Sequence, residues 1–347
     1  MMTKRIDIDI PSTDKGNDTW DYRKYPEMIP SEPSALDKLK GWELTGEDEA
    51  KAEEGFWLVP GVFWNNHATM VCAPSNGGKT RITFHLMCQL AEDGYDIRYI
   101  NMDIALSDAA NMRRRAIKAG MQFLTPDLKK TSATEVYDAL AAIAQSDENL
   151  RRVVFVIDNL KQIADVISKR EIKDKMQMLC KGLTRTGATI VILAHTNKYT
   201  DNKGKPIYEG TVDIHNLVDE LIYLESDKTT NGQTVQLLGN KNRLTEKKPP
   251  SFQIDLDGNV TELESPVDVR KRKRDRGQLV KDKDGIAAAR ERLKLSECIQ
   301  GELVDYVSKE AGIGKNTATK LLKRYIGKPM YWKVETSDNN AKVYKKC

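Results

Sequence analysis

One octapeptide limits what this chain can fold into more than any other stretch: Ala73-Pro-Ser-Asn-Gly-Gly-Lys-Thr80. It follows the apolar run ATMVC and precedes ITFHLMCQLAEDG, whose apolar residues recur at helical spacing. A strand, a glycine-rich turn and a helix in that order make a phosphate-binding loop. Gly77 and Gly78 let the backbone approach phosphate oxygens with no Cβ in the way. Their N–H groups and the helix N-terminus then form an anion nest. The candidate contacts are Ala73, Pro74, Ser75, Asn76, Gly77, Gly78, Lys79 and Thr80. Lys79 is placed to reach the β- and γ-phosphates and Thr80 to ligate Mg²⁺.

Around this loop, β-branched runs alternate with helical stretches: ATMVCA, DIRYINMD, VVFVID, TIVILAH and LVDELIYLES against DAANMRRRAIKAG, EVYDALAAIAQS and KDKMQMLCKGLTRTG. The alternation predicts an α/β domain over 55–265, a mostly parallel twisted sheet with helices on both faces. TVQLLGNKNR and PSFQIDLDGNVTEL are expected as antiparallel strands closing one edge, with a hairpin turn at Asp257-Gly258-Asn259. Residues 1–54 are polar and read as an arm.

Beyond Pro266 the composition shifts. The last 82 residues carry 21 Lys and Arg against 11 Asp and Glu, whereas residues 1–265 carry 34 against 40. A basic tail on a nearly neutral body points to an anionic partner, although the run Arg270–Arg274 also suits a solvated linker. Residues 266–289 are therefore expected as a charged, mobile linker and 290–347 as a small second domain. There LSECIQGELVDYVSKEAG reads as a helix, Gly312-Ile-Gly314 as a tight turn and Lys315–Tyr325 as a second helix. YWKVETS and AKVYKK would form a hairpin around Asp338–Asn340. This pattern resembles a winged helix-turn-helix, with Ile313, Ala318, Leu321 and Leu322 facing its core. Lys315, Asn316, Thr317, Thr319, Lys320 and Lys323 would meet DNA phosphates or base edges, unless the module binds protein instead.

No run of eighteen apolar residues, no secretion signal and no Cys or His ligand spacing is present, so the expectation is a cytoplasmic protein with reduced thiols and no zinc site.

Several motifs in order, APSNGGKT, YINMD, VVFVIDN, VILAHTNK and GNKNR, resemble the RecA/DnaB-like ATPases, in particular ring helicases of the RepA type, over roughly residues 55–262. The roles that follow are implied by that resemblance. Asp158 would hold the Mg²⁺ shell from a strand beside the phosphate-loop strand. Asp103 would activate the attacking water, where the family usually has Glu, one methylene longer. His195 would sense the γ-phosphate. Lys241 and Arg243 would project into the neighbouring subunit's ATP site, making a ring, a hexamer in this family, the catalytic unit. Two loops would line a central DNA channel. One runs from about Asn159 to Ile172 and includes Lys161, Lys169 and Arg170; the other runs from about Lys198 to Thr211, with Lys198, Lys203 and Lys205. The resemblance further implies ATP with Mg²⁺ as cofactors, DNA as partner, a homo-oligomer, and a bacterial, plasmid or phage setting. A helicase acting in replication is one reading; a DNA-binding ATPase that mediates recombination, loads a helicase or regulates without unwinding is the other.

Overall fold

The strand before the phosphate loop, Ala68–Ala73, alternates its side chains between two cores: Ala68, Met70 and Cys72 enter one, Val71 and Ala73 the other. A strand buried on both faces must lie inside a sheet covered by helices on both sides, and that is the architecture. The structure is a computed structural model describing residues 37–46, 49, 54–165, 171–200, 206–208, 218–241, 249–337 and 340–346. Met1–Glu54 form one unit and Gly55–Cys347 another. Within the first, Asp37–Lys40 make a single helical turn with a Lys40–Asp37 ion pair at 2.8 Å.

In the second unit, β1 (Trp57–Val59) and β2 (Phe63–Trp64) form a small hairpin before the main sheet. The parallel strands are β3 (Ala68–Ala73), β4 (Asp96–Asn101), β5 (Gln122–Leu124), β6 (Val153–Asp158), β7 (Thr189–Thr200) and β9 (Glu220–Thr229). β10 (Gly232–Lys241), β11 (Ser251–Ile254) and β12 (Val260–Glu262) continue the sheet antiparallel beyond β9, as expected. The lateral order is β12-β11-β10-β9-β3-β7-β6-β4-β5. The 257–259 turn forms as read: Gly258 adopts φ +86°, a conformation that favours glycine, and Asp255 N donates to Asn259 O at 3.0 Å.

Helices α1 (Lys79–Glu92) and α2 (Leu106–Ala119) cover one face, burying Ile82, Leu86 and Ala116 against β3, β4 and β7. α3 (Ala133–Ala144), α4 (Leu160–Asp165) and α5 (Ile172–Arg185) cover the other, burying Leu140, Ile163, Leu179 and Leu183. α3 starts on a capping box, in which Ser132 and Glu135 satisfy each other's backbone N–H. No helix among the described residues is long and apolar enough to cross a membrane.

The structure corrects one expectation about the sheet. Asp158 does not sit on the strand next to the phosphate-loop strand: β7 lies between them, pairing with β3 on one side and β6 on the other. β7's run Ile190–Ala194 is buried on both faces, as an interior strand requires, but chain order does not disclose lateral order.

The expected mobile linker is another departure. Val269–Lys281 is helix α6, followed by α7 (Lys283–Leu295). Asp268 caps α6, its carboxylate accepting from Lys271 N at 2.8 Å. Arg270 pairs with Glu225, and Arg276 donates to Asp227 at 2.8 Å, so two acids on β9 draw in charges that read as solvated.

The tail folds as a module with its own core. α8 (Gln300–Glu310) and α9 (Lys315–Arg324) pack with α7 and a three-stranded antiparallel sheet. In that sheet β15 (Lys342–Lys346) lies between β13 (Cys298–Ile299) and β14 (Trp332–Thr336). Ala318, Leu321 and Leu322 are buried and Ile313 packs against them, as expected. The stretch from Leu295 to Gly312 is not one helix, because Cys298 and Ile299 leave to pair with Tyr344 and Val343. Of the expected hairpin tip, Asp338 and Asn339 lie outside the described residues.

Candidate nucleotide site

The phosphate loop is a closed turn in which Gly77 N donates to Pro74 O at 2.9 Å. A Cβ on Gly77 would lie 2.8 Å from that carbonyl and 2.9 Å from Ala73 Cβ, so only glycine fits. Gly78 has φ +95° and caps α1, leaving the helix N-terminus without a side-chain cap and open to an anion. β10 braces the loop from outside: Gln233 Nε2 donates to Asn76 O at 3.1 Å.

A cavity of about 680 Å³ opens over this loop, lined by residues 75–81 and by Asp103, Asp158 and His195. Asp103 just past the end of β4, Asp158 at the end of β6 and His195 within β7 thus share a cavity at the start of α1. Lys79 is buried, with Nζ 3.4 Å from His195 Nε2. Burial lowers its pKa, and the charges of Asp158 and Asp103 oppose that. Asp158, also buried, has its pKa raised by burial, against the opposing influence of a Thr80 hydrogen bond and the Lys79 charge. Thr80 and Asp158 are therefore in direct contact, although β7 separates β3 from β6; the first turn of α1 spans the gap.

Sequence reasoning did not find the groups that hold these acids. Tyr99, fully buried, donates its hydroxyl to Asp158 Oδ2 at 3.0 Å, and Asn101 Nδ2 donates to the same oxygen at 3.2 Å. Asn159 Nδ2 donates to Asp103 Oδ2 at 3.4 Å, and its own buried Oδ1 has no hydrogen-bond partner among the described residues. Tyr99 and Asn101 lie on β4 two residues apart, hence on one face, which is the only signal the sequence offers for them. Asn159 stands in the quoted VVFVIDN but was read as the start of a DNA loop; it is buried at the nucleotide site instead.

The donor set fits a magnesium nucleotide. The Thr80 hydroxyl and Asp158 carboxylate are adjacent hard oxygens, the kind Mg²⁺ takes. Lys79 and the backbone N–H groups of the loop face the same cavity, and the orphaned Asn159 Oδ1 leaves an acceptor beside it. The cavity is also walled by Asp108, Asn111 and Arg115, polar groups suited to the rest of a nucleotide.

The remaining candidates are distributed as follows. Lys241 ends β10, and its side chain, like Arg243, lies outside the described residues. The first proposed channel loop is largely helical, since α4 takes Leu160–Asp165; Lys161 is exposed on it, and Lys169 and Arg170 lie outside the described residues. The second is a hairpin: β7 runs on to Thr200 and β8 (Pro206–Tyr208) pairs with it, Thr196 facing Tyr208. Lys198 falls on β7 with its side chain outside the described residues, as are Lys203 and Lys205. On α9, Lys315, Asn316, Thr317, Lys320 and Lys323 are exposed, and Lys315 pairs with Asp305 at 2.6 Å. Thr319 is half-buried and spends its hydroxyl on Lys315 O at 2.8 Å, which withdraws its donor from any partner.

Sheet order, loop geometry and the Lys79–Thr80–Asp158 constellation define a P-loop ATPase domain of RecA-like fold. Residues 31–201 match the AAA domain family. The match spans Lys79, Asp103, Asp158 and His195 and stops before the antiparallel strands and the C-terminal module. Comparison with curated proteins finds no match. Among solved structures the chain is similar to the flagellar accessory protein FlaH from Methanocaldococcus jannaschii, at 12% identity and TM-score 0.43, over 60% of this chain and 93% of that one. It is also similar to a KaiC-like protein from the hyperthermophilic archaeon Pyrococcus horikoshii, at 17% identity and TM-score 0.40, over 58% and 91%. Both likenesses are too distant to carry a role across.

Proposed function

We propose that the chain is an ATP-driven DNA helicase or translocase of the RepA ring type, acting in replication as a homo-oligomer with ATP hydrolysed at subunit interfaces. One observation supports this above others. His195, in contact with Lys79, lies on the strand that runs straight on into the β7–β8 hairpin. A change in phosphate charge at Lys79 is thus one strand away from a hairpin whose sequence, with Lys198, Lys203 and Lys205, suits a nucleic-acid backbone. In this reading Lys79 neutralises phosphate charge, Asp103 takes the proton of the attacking water, Thr80 and Asp158 hold Mg²⁺, and Lys241 with Arg243 complete the neighbour's site. The C-terminal module serves as a winged helix that docks DNA through Lys315, Asn316, Thr317, Lys320 and Lys323.

The rival reading, a DNA-binding ATPase that loads or regulates without unwinding, is favoured by Asp103, whose short carboxylate is held by Asn159. Strand displacement on a forked duplex separates the two, with Lys79→Ala as the inactive control. ATP-dependent displacement supports the motor, while DNA-stimulated turnover without displacement supports the rival. Unchanged turnover by Lys79→Ala would remove the site assignment itself.

A further inference from the structure

Helix α6 contains Arg270, Lys271, Arg272, Lys273, Arg274, Arg276 and Lys281 against a single acid, Asp275. Like charges three and four residues apart on a helix repel, so such a helix needs an external reason to persist. The core supplies part of it. Arg270 pairs with Glu225, Arg276 with Asp227, and Arg272 Nη1 donates to Thr234 at 3.3 Å. Both ends are also pinned. Val269 is buried, with its N–H donating to Gln236 Oε1 at 3.0 Å. At the other end, Gln278 and the Tyr325 hydroxyl each donate to buried Asp282 at 3.0 Å, and Arg324 pairs with the same carboxylate. The helix is therefore held to β9 and β10 along its length and to the end of α9 at its junction with α7.

The opposite face is left over. Lys271, Arg274 and Lys281 are exposed, and among the described residues no carboxylate pairs with them. With Gln278 they follow i, i+3, i+7 and i+10 and share one face, running ~15 Å along the axis at 1.5 Å per residue. We infer that this face is a docking surface for the phosphate backbone of duplex DNA. A duplex strand presents a phosphate about every 3.4 Å of axis, so a straight basic face of this length meets several at once. Because the core already fixes the helix, little is spent on ordering it. A membrane-surface helix would need an apolar face opposite the basic one; here that position is held by arginines bonded to Glu225 and Asp227. The tie through Asp282 links this face to the module that holds Lys315, Lys320 and Lys323. The inference rests on the proposed action on DNA, but not on unwinding.

The test uses the full chain, a short fluorescein-labelled duplex and a salt series. Lys271→Ala/Arg274→Ala/Lys281→Ala is expected to weaken duplex binding by about 10- to 100-fold and to flatten the log–log salt slope by about 2 to 3. DNA-independent ATP turnover should be unchanged, because none of the three lines the nucleotide cavity. The charge-preserving Lys271→Arg/Arg274→Lys/Lys281→Arg should bind like wild type, which separates loss of charge from loss of fold. Wild-type affinity and salt slope in the alanine variant would overturn the inference. So would binding of wild type, but not the variant, to phosphatidylserine-containing vesicles with duplex binding unaffected. Absent strand displacement, with duplex binding still dependent on these residues, removes the helicase reading and leaves this surface standing.

Discussion

Lys79 Nζ lies 3.4 Å from His195 Nε2, and this contact joins the phosphate loop to the strand that becomes the β7–β8 hairpin. It puts the charge at the nucleotide's phosphates within reach of an imidazole that can donate, accept or become a cation. His195→Ala should therefore leave ATP affinity within about threefold and reduce DNA-stimulated turnover by about tenfold or more, the scale of one lost polar contact in a buried site. Steady-state turnover with and without single-stranded DNA reads both. Equal stimulation in wild type and variant would detach His195 from coupling.

Asp103 faces the cavity with its carboxylate held by Asn159 at 3.4 Å. If it accepts the proton of the attacking water, Asp103→Asn should lower turnover by about 10²- to 10⁴-fold, the usual contribution of a general base. Asn159→Ala, which frees the carboxylate without removing it, should cause a smaller loss. Nucleotide affinity should barely change in either. Single-turnover hydrolysis alongside fluorescent-nucleotide titration checks the split, and a fall in affinity equal to the fall in rate would argue for a binding role.

Asp158 adds a pH dependence whose sign is set by burial. Its pKa lies above the usual carboxylate value because burial outweighs the Thr80, Lys79 and Tyr99 contributions. A carboxyl whose pKa is higher folded than unfolded stabilises below its unfolded pKa and loses that contribution as pH rises through the folded value. At neutral pH the ionised side chain thus weighs against the nucleotide-free fold and is retained for the cation. Asp158→Asn should raise the melting temperature of nucleotide-free protein at neutral pH by about 2 °C or more. The difference should shrink as pH falls through the carboxylate range. Magnesium-dependent turnover, and the thermal shift on adding MgATP, should both vanish. Thermal scans across pH check this, and a variant less stable than wild type at neutral pH would contradict it.

Arg243, which lies outside the described residues, carries the shared-site prediction. Arg243→Ala should bind ATP nearly as wild type does and stop turning it over, by about 10³-fold if it acts as an arginine finger. Mixing it with Lys79→Ala should restore part of the activity, since a mixed ring contains interfaces with an intact lysine on one side and an intact arginine on the other. Normal hydrolysis by Arg243→Ala alone, or no recovery on mixing, would place the active site within one subunit.

Much of this molecule is legible along the chain because its signals are local. The loop from Ala73 to Thr80 announces itself through residues that must be contiguous: glycines for close approach, then a lysine and a threonine at a helix start. The parallel strands show as apolar runs, and the edge hairpin at Gly258 as a turn requiring positive φ. The alternation of strand and helix was enough to give the α/β class.

Other features had no local signature. β7 stands between β3 and β6 because it pairs with β6 on one side and, across more than a hundred residues, with β3 on the other. The clasp on Asp158 comes from Tyr99 and Asn101, 59 and 57 residues away, on a strand whose sequence puts the two on one face but does not say what that face meets. The run of arginines and lysines after Pro266 looked like a solvated linker because the acids that dock it, Glu225 and Asp227, lie 45 and 49 residues earlier on β9. Composition determines how much charge a segment carries. Only the folded backbone decides which charge meets it, because an ion pair depends on distance in space and leaves no trace in residue spacing.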